Sequence, residues 1–261
     1  MRTESSPSRN LVRITATAAA AVLAFAVGAC SSDDANSGTT VLNVYAAASL
    51  KKTFTQIESA YEKANPGVDV KLNFAGSQAL VNQINQGADV DVLATADEQT
   101  MTKVADKANA PRIFAANTLV IATAPGNPKN IENFASLRDP AIKTVICAVE
   151  VPCGAATAQV ERNTGVDIRP VSEESSVTAV LTKVTAREAD AGLVYVTDAK
   201  GAGSKVAVVG DPAFARVVNK YPIATLKGST QGENARKFVD QVLGPDGQRV
   251  LRDAGFSAPP A

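Results

Sequence analysis

The residues of this chain that could do chemistry at a defined spacing are serines set just after apolar runs, two close cysteines and a few carboxylates beside strand ends. Ser49-Leu50-Lys51-Lys52 spells S-x-x-K, the pattern of the acylating serine in penicillin-binding enzymes. Such a site also needs S-x-N or Y-x-N and K-[ST]-G. The chain beyond its first thirty residues has neither, and Lys52-Thr53 and Lys143-Thr144 are followed by Phe54 and Val145 rather than glycine. A penicillin-interacting enzyme using Ser49 and Lys52 is therefore a remote alternative. The sequence contains no histidine, which excludes Ser-His-Asp and Cys-His sites and removes the commonest metal ligand. Asp89-Val90-Asp91 flanks a strand entrance, where carboxylates usually serve turns and caps. Gly201-Ala202-Gly203 lacks the third glycine of a nucleotide fingerprint. No catalytic constellation emerges, and the chain reads as a binding protein rather than an enzyme.

The beginning of the chain reads as an address. Arg2, Arg9 and Arg13 precede the apolar run Ile14 to Val27, too short to cross a bilayer but suited to a signal peptide. Val27-Gly28-Ala29-Cys30 resembles a bacterial lipobox, so residues 1–29 are expected to be a lipoprotein signal peptide and Cys30 the lipidated first residue. Residues 30–40 are polar and small, a flexible tether. The leader takes three Arg and one Glu out of a balanced 26 and 26, leaving 23 basic and 25 acidic residues. That balance gives no reason to expect nucleic acid as a partner. Cys147 and Cys153 remain in an oxidising compartment, where a disulfide is the default, and two thiols without histidine cannot complete a zinc site.

From residue 41 onward, strand-like runs alternate with helical stripes. Val41 to Ala46 is a strand, and Leu50, Phe54, Ile57 and Tyr61 form one face of a helix stopped by Asn65-Pro66-Gly67. Strands are expected at 68–75, 90–94, 119–123, 144–149, 191–196 and 206–209, with an extended run at 222–226. Helices are expected at about 97–107, 155–163 and 231–243, with shorter stripes around Leu80, Val81 and Ile84 and around Val177, Val180, Leu181 and Val184. This alternation implies an α/β fold with largely parallel sheets. In such sheets ligands sit at the carboxyl ends of strands, which points at loops 46–50, 75–79, 149–155 and 174–178. Each enters a helix through small residues. Helix starts leave N–H groups unpaired and carry partial positive charge, so several converging starts can hold an anion without Lys or Arg. Ser49 and Ser77 read as helix caps whose hydroxyls are free to turn toward a guest.

The segments VYAAASLKKTF, NFAGSQALVNQINQGADVDVLATAD, VPCGAATA and AGLVYVTDA resemble, in order, those of the molybdate-binding proteins of ABC transporters. The resemblance runs over most of residues 41 to 256. It implies the two-lobed type II periplasmic-binding-protein fold, each lobe a mostly parallel sheet flanked by helices, joined by a two-stranded hinge. The lobes would be 41–120 plus 221–261, and 121–220, with crossings near Leu119 and Pro222. It implies a lipid-anchored receptor on the outer face of the cell membrane, a monomer. The receptor would take molybdate or tungstate, with no other cofactor and no direct protein–metal bond, and deliver it to a membrane permease. By the same resemblance Ser49 and Ser77 donate hydroxyl and backbone N–H, Cys153 and Val177 donate backbone N–H, and the Tyr195 hydroxyl reaches the anion. Cys153 departs from the family's small residue at that turn. Donors without a nearby acceptor suit a bare dianion; hydrogen phosphate needs a partner for its proton. Asp91 and Glu174 would weaken this reading if they faced the cleft. Sulfate is also a bare dianion and remains an alternative.

Overall fold

The computed structural model describes residues 39–259. The expected signal peptide, Cys30 and nearly all of the expected tether lie outside these residues. Within them the chain runs through β1 (Thr40–Ala47), a 3-10 turn at Ala48–Leu50, α1 (Lys51–Ala64), β2 (Val68–Ala75), α2 (Ser77–Asn85), β3 (Val92–Ala94), α3 (Glu98–Thr102), β4 (Ala108–Asn117) and β5 (Leu119–Thr123). It continues through β6 (Thr144–Cys147), α4 (Pro152–Thr164), β7 (Ser172–Glu174), α5 (Val177–Thr185), β8 (Ala191–Tyr195), α6 (Val196–Ala202), β9 (Ala207–Val209), β10 (Asn219–Leu226), α7 (Gly232–Leu243) and α8 (Pro245–Ala254).

Two five-stranded sheets result, ordered β2-β1-β3-β10-β4 and β7-β6-β8-β5-β9. In the first, β2, β1 and β3 are parallel, and β10 is antiparallel to both β3 and β4. In the second, β7, β6 and β8 are parallel, and β5 is antiparallel to both β8 and β9. The sheets therefore share one plan, and the reversed strand of each enters from the other lobe. The chain passes between them at Thr118, between β4 and β5, and again through residues 210–218 into β10. The α/β, two-lobed architecture expected from the sequence is what the chain forms.

The helical stripes bury as their spacing predicts: Leu50, Phe54, Ile57 and Tyr61 are all at most 2 % exposed. Phe54 meets Phe114 and Phe238, and Tyr61 meets Phe238, with ring centroids 5.4–6.0 Å apart. Several elements differ from the sequence reading. The helix expected at 97–107 is one short helix, α3, followed by turns, and β4 starts directly after it. β4 carries Pro111 and shows no period-two alternation; it pairs only with β10 at the sheet edge, where proline is tolerated. α8 is polar along most of its length and buries only Gly247 and Leu251. Its boundaries are marked instead by Pro245 in the first turn and Gly255 at the left-handed C-terminal position.

Candidate functional site

Both parallel triplets end at one place. The loops after β1, β2, β3, β6 and β8 and the start of α5 close around a cavity of about 10 Å3, lined by Ala47, Ala48, Ser49, Gly76, Ser77, Ala96, Val151, Pro152, Cys153, Val177 and Tyr195. Ser49, Ser77, Cys153, Val177 and Tyr195, far apart in sequence, thus stand together. No lining side chain carries a formal charge. That volume is about the room one water molecule needs, so the lining groups stand close together. A far larger groove of about 740 Å3 lies alongside, between α1, α5, α6 and α8, and shares Ala48 and Ser49 with it. That groove is open and carries Lys51, Lys52, Lys200 and Lys205, but the clustered donors face the small cavity.

The serines hold their places differently from the sequence expectation. Neither is a helix cap. Ser49 sits inside the 3-10 turn that precedes α1, whose flanking positions make no side-chain cap bond. Ser77 is the first helical residue of α2, and Gly76 is the cap. The physical reason is that each hydroxyl is engaged elsewhere. Ser77 Oγ accepts the Ala96 N–H at 3.0 Å, and Ser49 Oγ lies 3.0 Å from the Tyr221 hydroxyl. Lys52 is exposed on α1.

On the opposite wall the donors are mainly backbone. Cys153 and Val177 lie in the first turns of α4 and α5, where N–H groups have no intrahelical acceptor. Ser176 caps α5 by accepting the Ala179 N–H at 3.2 Å. Cys153 is joined to Cys147 by a disulfide, so the end of β6 is stapled to the start of α4. A Cβ on Gly154 would lie 2.0 Å from the Ala148 carbonyl oxygen, which makes glycine obligatory inside this staple. Gly76 has the same constraint across the cleft: a Cβ there would lie 2.1 Å from the Ser175 carbonyl oxygen. The lobes touch at that point.

Tyr195 is 1 % exposed, and its hydroxyl has no hydrogen-bond partner among the described residues. Burial raises its pKa well above the ordinary phenol value, so it stays a donor. The Tyr221 ring lies 6.0 Å away; its hydroxyl is 3.0 Å from Ser49 Oγ and also neighbours Asn117 and the Tyr195 hydroxyl. Beneath Tyr195, Asp198 accepts its backbone N–H at 3.2 Å, and burial pushes that carboxyl up to about 7. The carboxylates singled out from the sequence are occupied elsewhere. Asp91 accepts the Asn43 N–H at 2.7 Å and the Ser229 hydroxyl at 2.6 Å. Glu174 accepts Lys183 at 2.5 Å and the Ser172 hydroxyl at 2.8 Å, and its pKa is lowered chiefly by Lys183. Asp89 is exposed.

Several residues of the site escaped the sequence reading. Ala96 lines the cavity and holds Ser77, while Asn219 donates to the Ala96 carbonyl at 3.0 Å and reaches the Pro152 carbonyl at 3.5 Å. Tyr221 backs Ser49 from β10. None of these follows a strand end in a recognisable motif; only the fold brings β10 behind the loop after β1.

A family model described as bacterial extracellular solute-binding protein matches residues 42–257. The chain belongs to that family. It is 49 % identical over 219 residues to the molybdate-binding protein ModA of Mycobacterium tuberculosis, covering 83 % of this chain and 84 % of that one. Among solved structures, the Azotobacter vinelandii periplasmic molybdate-binding protein matches 84 % of this chain and 100 % of its own with a TM-score of 0.73 at 22 % identity. The sulfate-binding protein SubI of M. tuberculosis matches 84 % of this chain and 87 % of its own with the same TM-score at 18 % identity. These two likenesses establish the fold. As a member of this family the chain is a solute-binding protein and not an enzyme, and the resemblance read from its sequence segments holds.

Proposed function

We propose that this solute-binding protein takes molybdate, and tungstate with it, between its lobes and delivers the anion to an ABC permease. The observation that carries this reading is a neutral, buried cavity where hydroxyls and first-turn N–H groups converge and no carboxylate intrudes. Ser49 and Ser77 donate through hydroxyl and N–H, Cys153 and Val177 through N–H, and Tyr195 through its otherwise unpartnered hydroxyl. Donors alone favour a fully deprotonated anion, because a bound hydrogen phosphate would bury its proton without an acceptor at about 1–3 kcal/mol. The 49 % identity to a molybdate-binding protein supports the choice of oxyanion. The lobes are residues 41–120 with 221–261, and 121–220; binding bridges them and presents the closed form to the permease. The mature protein is a monomer, anchored outside the cell membrane through lipid on Cys30.

The test is thermal melting with molybdate, tungstate, sulfate and phosphate. At about a thousand times its dissociation constant a ligand adds roughly 4 kcal/mol, or about ten degrees for a domain of this size. Molybdate and tungstate should raise the melting temperature by that order and phosphate should not. A shift with sulfate alone would replace the ligand, and no shift with any of them would refute the receptor reading. Loss of palmitate labelling in a Cys30→Ser variant checks the anchor.

A further inference from the structure

A serine hydroxyl has one hydrogen to give and lone pairs that accept. For a cavity that takes a bare dianion, every hydroxyl around it must spend its hydrogen on the guest, and its oxygen must be satisfied from behind. At Ser77 the backbone enforces this. The Ala96 N–H can only donate, and it donates to Ser77 Oγ at 3.0 Å, leaving the Ser77 hydrogen for the cavity. At Ser49 the corresponding group is a side chain, the Tyr221 hydroxyl at 3.0 Å.

We infer that Tyr221 is a positioning residue that holds Ser49 as a hydrogen-bond donor to the guest, an inference that rests on the oxyanion reading of the cavity. Tyr221 is fully buried on β10, and its ring is gripped edge-on by Phe114, Tyr195 and Phe256 at centroid distances of 6.3, 6.0 and 5.3 Å. The packing fixes the phenol oxygen 3.0 Å from Ser49 Oγ, with Asn117 and Tyr195 as its other polar neighbours. Burial raises its pKa, so the hydrogen is always there to give. With Ser49 giving its own hydrogen to a dianion, the phenol satisfies the serine oxygen. With its hydrogen committed to the guest and one lone pair taken by the phenol, Ser49 meets the guest as a donor, as Ser77 does. Tyr221 touches no guest itself; it acts through Ser49 and belongs to the same lobe's sheet.

The experiment is a double-mutant cycle on Tyr221→Phe and Ser49→Ala, read by calorimetric titration with molybdate and with sulfate. Phenylalanine keeps all three ring contacts, so the ligand-free melting temperature should hold. In the parent protein Tyr221→Phe should loosen the bound anion about tenfold, the worth of one well-placed hydrogen bond. In the Ser49→Ala background it should change affinity by less than about twofold, because the oxygen it serves is gone. Equal losses in both backgrounds would make Tyr221 a general structural residue and overturn the inference, as would no loss in the parent. Binding of sulfate without molybdate would refute the proposed ligand while the cycle still reads out on sulfate. Binding of neither would overturn both.

Discussion

The two walls of the cavity present different kinds of hydrogen-bonding group. The wall from the first sheet presents side-chain hydroxyls: Ser49, hydrogen-bonded to the Tyr221 hydroxyl, and Ser77, which accepts the Ala96 N–H. The wall from the second sheet presents backbone N–H groups at the starts of α4 and α5, with Tyr195 as its one side-chain donor. A hydroxyl can be deleted by a substitution and can be turned; a backbone donor can be neither, and is set by whatever fixes its helix. Hence the second wall carries the disulfide, whereas the hydroxyls of the first are held by hydrogen bonds from Ala96 and with Tyr221; a glycine with no room for a methyl stands on both walls, Gly154 on the second and Gly76 on the first.

The largest expected break of this contrast is Ser77→Ala. It removes one hydrogen bond to an anion, worth about 1.5–3 kcal/mol, so affinity should fall roughly tenfold to a hundredfold by calorimetry. It also strands the buried Ala96 N–H, so the ligand-free protein should melt earlier. Val177→Ala on the opposite wall should keep affinity within about twofold, since its N–H remains and only side-chain volume changes. A Val177→Ala loss equal to that of Ser77→Ala would erase the distinction between the walls.

Next comes the point where the walls meet. Gly76→Ala puts a methyl 2.1 Å from the Ser175 carbonyl oxygen, a clash that exists only with the lobes together. Overpacking of this kind costs about 1–3 kcal/mol, so affinity should drop roughly tenfold while the ligand-free melting temperature holds. Small-angle scattering should show the variant less compact than the parent at saturating ligand. Equal compaction would mean that the loop yields locally.

Removing the staple with Cys147→Ser and Cys153→Ser should act on stability more than on recognition. The short loop closed between residues 147 and 153 is worth about 2 kcal/mol, or about five degrees in melting temperature. Affinity should fall only a few-fold, because the Cys153 donor is a backbone N–H. A loss as large as that of Ser77→Ala would show that the staple orients the donor and does more than stabilise the loop.

Beneath Tyr195 the expected effect is on pH dependence and leaves affinity unchanged. Asp198 is raised from 3.8 to about 7 by burial. Between those values the native state keeps a proton that the unfolded chain has released, so this residue's contribution to stability falls as pH rises from about 4 to about 7 and is flat above. Asp198→Asn retains an oxygen for the Tyr195 N–H and should flatten that slope and melt higher than the parent at pH 8. An unchanged pH profile would mean that the carboxylate is charged in the fold.

Period and punctuation were enough for much of the fold. The stripe Leu50, Phe54, Ile57, Tyr61 could bury in only one way on a helix, and the strand runs Val41 to Ala46 and Ala191 to Val196 are apolar enough to be central. β4 was not legible because edge strands tolerate Pro111 and need no alternation, and α8 because it buries so little. The positions of Ser49, Ser77, Cys153, Val177 and Tyr195 at or beside helix starts followed from the chain and its resemblance to a family, since small residues after strand ends mark where N–H groups are left unpaired. Sequence alone determined which donors exist and, through the missing histidine and motifs, what chemistry they lack. What only the tertiary structure decided is which way those donors face. The direction of a hydroxyl depends on its partner, and Ala96, in the loop after β3, and Tyr221, on β10, are 19 and 172 residues distant. Such contacts are set by sheet order, which no local pattern encodes.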